Sequence, residues 1–351
     1  MQKRFKPSVL VIGPGRMVRG GTTSVIALLA SQPQWREYRC EWLATHDDRN
    51  KVAKVWAAVQ ALVRMPIALL GKDIVHIHAT VWNSFIRKSI FFFLAKCFGK
   101  SVVVHLHAPS AEMLFDQTCP PLVRRVLLSA DAVIVLSPYW ESEVKRRLPS
   151  ARVVVIPNAV ASVGTEPRQR ISRMVLFAGE LQDRKGYQDL IRAMAIVLEA
   201  VPDAKLTMAG HGAVSQARVL AEELGISRSI EFPGWLRGEA KEQVFRRADV
   251  FCLPSYHEGV PMAVLEAMSF GLPVVVTPVG GLPDVVQEGE NGYLVPCGDI
   301  LALATALLRL LENPDLCRRM GDAASKMVQE RFNIVTVWAR LGDLYDRLSG
   351  G

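Results

Sequence analysis

No C-x-x-C pair occurs in this chain of 351 residues, although it holds six cysteines, Cys40, Cys97, Cys119, Cys252, Cys297 and Cys317. Scattered thiols make neither a zinc site nor a disulfide framework, so reduced cysteines in a cytoplasmic protein are expected. The greasiest stretch, SIFFFLAKCF at 89–98, is too short to span a bilayer. The first apolar run, SVLVI, is broken at once by Gly and Pro, and reads as a first strand rather than a signal peptide. The loop after it, GPGRMVRGGTTS at 13–24, lacks the decisive residues of two nucleotide motifs. Gly21 stands where a P-loop needs its lysine, and Val18 where a dinucleotide fingerprint needs its third glycine. Neither an ATPase nor a dinucleotide enzyme is supported. No aromatic-plus-basic module accompanies the positive charge, so no nucleic acid partner is expected.

What is present is a globular composition, half apolar and 22% charged, over a length that suits two domains. Net charge is +8, unevenly spread. Residues 1–160 hold 22 Lys/Arg against 10 Asp/Glu, giving +12, and the remaining 20 and 24 give −4. Short β-rich runs alternate with helical segments throughout, from SVLVI (8–12) to RVVVIP (152–157) and from MVLFAG (174–179) to GYLVP (292–296). Continuous apolar strands separated by helices predict parallel sheets covered on both faces. The expected fold class is α/β, with two doubly wound, Rossmann-like domains facing a cleft at the carboxyl ends of their strands. The expected boundaries are 1–160, 161–335, and a final helix over 336–351 that could pack on either domain. Polar, aperiodic NAVASVGTEPRQRISR (158–173) is the expected linker.

Three stretches carry candidate chemistry. In YHEGVPMAVLEAM (256–268), Pro suits the first turn of a helix, so a helix is expected from about Pro261. Glu258 then lies in the preceding loop and Glu266 about 7 Å up the helix, with Gly259 and leading backbone amides between them. That suits an elongated ligand with an anionic middle and hydroxyls at its ends. A solvated helix with two surface glutamates would show the same spacing. GELQDRKG (179–186) puts Arg184 and Lys185 just after a strand, beside a helix start, where they could neutralise a diphosphate. His76, His78, His105 and His107 form two H-x-H pairs on neighbouring strands, each pair sharing a face. No carboxylate or Cys completes a set, so no metal is expected. His107 is read as a polar contact to substrate and His76 as structural.

The order GELQDRKG, MAGHG, LPSYHEGVPMAVLEAMSFGLPVVVTPVGGLPDVV, NGYLVPCGD resembles the donor-binding half of a family 4 glycosyltransferase over about residues 174–300. GGTTS, HIH and HLHAP echo its acceptor half. The resemblance implies a retaining enzyme of the GT-B fold, with Glu258 and Glu266 as its E-x(7)-E pair. Glu266 would hold the ribose hydroxyls of the donor and Glu258 would contact the transferred sugar. Lys185, Arg184 and the backbone at Gly259, Val260, Pro261 and Met262 would grip the diphosphate. Gly210 of MAGHG would line the donor side. His107 with Gly20, Gly21 and Thr22 would position sugar and diphosphate from the acceptor side. The donor would be a UDP- or GDP-sugar, the acceptor a glycan or lipid-linked glycan, and no cofactor or metal is implied, in keeping with the absence of D-x-D. Two departures stand out: Glu180 occupies a position where the family often has a phosphate-binding Arg, and Asp284 replaces a common Glu. Glu180 keeps a second reading open, a GT-B binding or accessory protein without turnover. Finally, in WNSFIRKSIFFFLAKCFGK (82–100) Phe85, Phe92 and Leu94 alternate with Arg87, Lys88, Lys96 and Lys100. A helix with apolar and basic faces predicts peripheral attachment to an anionic membrane surface, while packing of FFFLA on the sheet is the plainer alternative.

Overall fold

The apolar runs read from the sequence become parallel strands of two six-stranded sheets in the computed structural model. It describes residues 6–46, 51–115, 119–161 and 173–350, with 51–54 described by backbone alone. The chain divides into two compact units, Met1–Ala159 with Ile334–Gly351, and Val160–Asn333. The expected linker lies mostly outside the described residues.

The first unit runs β1 (Val9–Gly13), α1 (Gly21–Ala30), α2 (Pro33–Glu37), β2 (Glu41–Ala44), α3 (Lys51–Ala68), β3 (Ile74–Ala79) and α4 (Trp82–Cys97). It continues through β4 (Ser101–Leu106), α5 (Glu112–Phe115), α6 (Pro121–Ser129), β5 (Ala132–Val135), α7 (Pro138–Arg147) and β6 (Val153–Val155). The sheet order is β2-β1-β3-β4-β5-β6. After β2 the winding reverses, so its switch point lies between β1 and β3. Alternation along the strands sorts the two faces. Val75, Ile77 and Ala79 of β3, with Val102, Val104 and Leu106 of β4, join the core that also holds residues of α3, α4, α6 and α7. His76, His78, His105 and His107 therefore turn to the opposite face.

The second unit runs β7 (Met174–Ala178), α8 (Tyr187–Ala200), β8 (Lys205–Ala209), α9 (Val214–Glu223), β9 (Ile230–Glu231), α10 (Gly238–Arg247) and β10 (Val250–Leu253). Then come α11 (Met262–Ser269), β11 (Val274–Val276), β12 (Gly292–Leu294), α12 (Ile300–Leu311) and α13 (Pro314–Arg331). Its sheet order is β12-β11-β10-β7-β8-β9, which puts the switch point between β7 and β10. The last helix, α14 (Ile334–Leu348), belongs to the first unit. Its Trp338 indole donates to the Leu29 carbonyl of α1 at 3.2 Å, and Tyr345 is buried against His76.

The structure corrects which side chains of the expected membrane helix face outward. Phe85 and Phe92 of α4 are buried, and so is Lys88, which donates to the His78 carbonyl and to Ser84 Oγ. Phe85, Lys88, Phe92 and Ala95 recur every three or four residues, which is the stripe a helix turns to its sheet. Lys96 pairs with Asp131 at 2.5 Å. Of the side chains expected to form the interface, Phe85, Lys88 and Phe92 thus pack inward, Leu94 lies partly buried against the core, and Lys96 is paired within the unit. None of the six cysteines, all of them among the described residues, forms a disulfide.

Candidate active site

At the switch point of the second sheet, the loops after β7 and β10 lie side by side. The first makes a single 3-10 turn, Asp183–Lys185, before α8. The second runs from Pro254 to Pro261, which precedes α11 with extended backbone; the helix begins at Met262, one residue later than expected. The Tyr256 amide donates to the Arg184 carbonyl at 2.8 Å and ties the loops together. Gly280 holds the second loop from behind. Its φ is +55° and a Cβ there would strike the Glu258 carbonyl, while the neighbouring Gly281 amide donates to the Gly259 carbonyl at 2.8 Å.

Glu258 is only 5% exposed and is the hub of this corner. Its Oε1 forms an ion pair with Lys185 Nζ, accepts from Ser255 Oγ at 3.0 Å, and lies 3.8 Å from Arg184 Nη1. Arg184 also donates to the His257 carbonyl at 3.2 Å and to Gln182 at 3.1 Å. A buried carboxylate needs such partners to stay charged. Two cations share one anion here, so these three side chains together carry a net positive charge. The amide end of α11 adds to it, with no acidic side chain in its first turn. Glu266 stands on the second turn of α11 and pairs with Lys241 of α10 at 2.6 Å. Gly210 follows β8, so close to the Gly179 carbonyl that no side chain fits. Val260 is buried behind the loop. Glu180 stands 3.8 Å from His211 Nε2.

Sequence reading identified Lys185, Arg184, Glu258 and Glu266, and the structure brings the first three into one cluster. It missed Ser255, Lys241 and Thr277, whose hydroxyl donates to the Ser255 carbonyl. Ser255 was findable as a hydroxyl three residues before Glu258. Lys241 lies 25 residues from its partner and leaves no local signal.

In the first unit, Gly20 precedes α1 while Gly21 and Thr22 open it, at the carboxyl end of β1; His107 follows β4 at the same edge of the sheet. Behind His107 the four histidines stack, with ring centroids 4.2 Å apart for His105–His107 and 4.4 Å for His76–His78. His78 Nδ1 hydrogen-bonds His107 Nε2 at 2.9 Å. His76 bonds Tyr345 Oη through Nδ1 at 2.6 Å and His105 Nδ1 through Nε2 at 3.2 Å. Burial pushes the His76 imidazole down to about 3 and lowers the others too, so the array is neutral. The ring nitrogens of His76, His78 and His105 lie within 4.8 Å of one another. These bonds occupy all of them except Nε2 of His78 and of His105, fewer than the three ligands a zinc site needs.

The sequence model described as Glycosyl transferases group 1 matches residues 165–327, and the one described as Glycosyltransferase Family 4 matches 19–162. The phosphatidyl-myo-inositol mannosyltransferase of Mycobacterium leprae is 30% identical over 282 residues, 72% of this chain and 75% of that protein. The D-inositol 3-phosphate glycosyltransferase of Streptomyces coelicolor is 33% identical over 239 residues, 64% of this chain and 52% of that protein. The chain spans about half the length of several curated relatives it matches. Among solved structures, sucrose-phosphate synthase from Thermosynechococcus elongatus gives a TM-score of 0.81 at 22% identity, covering 98% of this chain and 99% of that one. Anabaena HepE, solved with UDP and glucose, gives 0.79 at 19% identity, covering 97% and 99%. Two six-stranded parallel sheets of this order, together with these sequence matches, place the chain in glycosyltransferase family 4, with the GT-B fold.

Proposed function

We propose that this chain is a retaining glycosyltransferase. It moves a sugar from a nucleoside diphosphate sugar to a glycan or lipid-linked acceptor, in the synthesis of cell-surface polysaccharide or glycolipid. The observation that carries this is the convergence of Lys185 and Arg184 on Glu258 at the switch point, beside the leading amides of α11. The diphosphate of the donor competes with Glu258 for Lys185. Once Lys185 turns to phosphate, Glu258 is free to accept hydroxyls of the transferred sugar while Ser255 still steadies it. Charge that develops on the leaving diphosphate is met by Lys185, Arg184 and the amides at Gly259 to Met262. The attacking hydroxyl enters on the face the diphosphate leaves, and a phosphate oxygen takes its proton. Glu258 is not the nucleophile, and no divalent metal has a part in the mechanism.

A UDP- or GDP-sugar fits as donor, and Anabaena HepE was also solved with UDP-glucose. The acceptor-side residues in this reading are the neutral His107, hydrogen-bonded by His78, with Gly20, Gly21 and Thr22. The accessory-protein reading rested on Glu180. The intact cluster of Lys185, Arg184 and Glu258 favours turnover instead.

Calorimetry separates the roles of the two glutamates. Glu266→Ala weakens binding of the free nucleoside diphosphate as much as of the whole donor, because ribose is common to both. Glu258→Ala spares the nucleoside diphosphate and loses discrimination among sugars. The reverse pattern would refute the assignment. A thermal-shift screen identifies the donor, since a ligand at 100 times its Kd adds about 2.7 kcal/mol.

A further inference from the structure

Two helices of the first unit turn large apolar side chains to solvent. On α3, Ala61, Met65 and Leu69 just beyond its end belong to the core. About half a turn away, Val55, Val59, Val63 and Ile67 form a ridge at i, i+4 spacing, joined by Trp56 and Leu70; all six are between 42% and 74% exposed. On the adjoining α4, Trp82, Ile86 and Ile90 repeat the spacing at 37% to 54% exposure. An apolar surface this extensive on two packed helices marks an interaction site.

Charge identifies the partner. Helices α3, α4 and α6 hold not one Asp or Glu; their bases are Lys51, Lys54, Arg64, Arg87, Arg124 and Arg125, besides Lys88, which is buried, and Lys96, which Asp131 pairs. Between Asp48 and Glu112 the sequence has a single acid, Asp73. Arg64, Arg124 and Arg125 are exposed, and Arg125 lies over the Phe93 ring of α4 at 5.4 Å. The helical acids of this layer sit on other helices, Glu112 on α5, and Glu141 and Glu143 on α7 beside β5 and β6. A second copy docking on this face would set bases against bases with no acid to pair them. A bilayer with anionic headgroups accepts both the ridge and the charge, and Trp56 and Trp82 suit its interfacial level.

We propose that the α3–α4 face docks on an anionic phospholipid bilayer, lying in the interface. No described helix is long and apolar enough to cross a membrane. The face begins at Trp82, close after β3, at the sheet edge where His107 stands. Docking would therefore bring the acceptor-side residues to the lipid surface, where a lipid-linked acceptor would be presented; that last step rests on the glycosyl-transfer reading, and the docking does not.

Flotation of the full chain with vesicles tests it without donor or acceptor. The protein floats with phosphatidylcholine vesicles containing about a third phosphatidylglycerol, and not with phosphatidylcholine alone. Raising salt from about 0.1 M to about 0.5 M lowers the affinity about tenfold. Val63→Asp with Ile67→Asp lowers it about a hundredfold and leaves the melting temperature and nucleoside diphosphate affinity unchanged. Equal flotation with neutral vesicles, no flotation with anionic ones, or undiminished flotation of the double variant overturns the proposal. A dimer seen by ultracentrifugation, abolished by that variant in a chain that does not float, would assign the face to a second copy. If the transferase reading alone fails, nucleotide-sugar binding is absent while flotation persists.

Discussion

Removing Lys185 does two things at once. It takes away a phosphate partner, and it leaves the buried Glu258 with only Arg184, at 3.8 Å, and Ser255. Lys185→Ala should cut kcat/KM by a factor of about 100 or more. It should also cost about 2 kcal/mol of stability, since an under-partnered buried charge is expensive. The double variant Lys185→Ala, Glu258→Gln separates the effects. Chemical denaturation should show most of the stability restored, while sugar transfer stays lost. Near wild-type transfer in Lys185→Ala would remove that residue from the proposed mechanism. Gly280→Ala provides a control away from the charges. Its Cβ would push on the Glu258 carbonyl, so it should lower activity through the loop's position.

Between elements, His76 and His78 of β3, His105 of β4 and His107 just after it form a neutral layer against α14. Their folded pKa values lie below the ordinary histidine value because burial disfavours the cation. The sign follows. The unfolded chain takes up protons near pH 6.5 while the folded one stays neutral down to about 3 at His76. Stability is therefore fully present above the unfolded value and is lost as pH falls below it. Melting temperature should drop between about pH 6.5 and pH 5, above the range where carboxylates titrate. The drop should be shallower in His105→Phe, which removes one of the protons taken up. Equal slopes would show that the layer does not govern acid stability. The H-x-H pairs were legible as residues sharing a strand face, and the neighbouring strands followed from the alternation. That Tyr345 closes the array was not legible, because it comes from 269 residues away.

At the scale of the whole molecule, the chain leaves its first unit after Ala159 and returns at Ile334. The second unit is one continuous segment with its own sheet and core. Residues 160–333 alone should fold, with cooperative melting, and should bind the nucleoside diphosphate. Residues 1–159 alone lack α14, whose Trp338 and Tyr345 are buried against α1, Tyr38 and His76. Such a fragment should expose apolar surface, bind a hydrophobic dye and aggregate. Adding 334–351 back as a peptide should restore solubility. A soluble, cooperatively melting 1–159 would show that α14 is dispensable.

The sequence by itself determined the two parallel sheets, because continuous runs of Val, Ile and Leu between helical segments have few other stable arrangements. It also determined the loops that carry Lys185 and Glu258, because proline, glycine and strand ends act within a few residues. Tertiary structure alone decided which faces are wet. FFFLA looked like a membrane surface, yet Phe85, Phe91 and Phe92 cover the sheet, while the ridge left exposed runs along α3 and the far side of α4. It alone decided that Lys185 and Glu258, 73 residues apart, neutralise each other in the free protein, and that Lys241 holds Glu266. The physical reason is range: backbone preferences act on neighbours in sequence, whereas burial and ion pairing depend on which distant residues the winding of the sheets sets side by side.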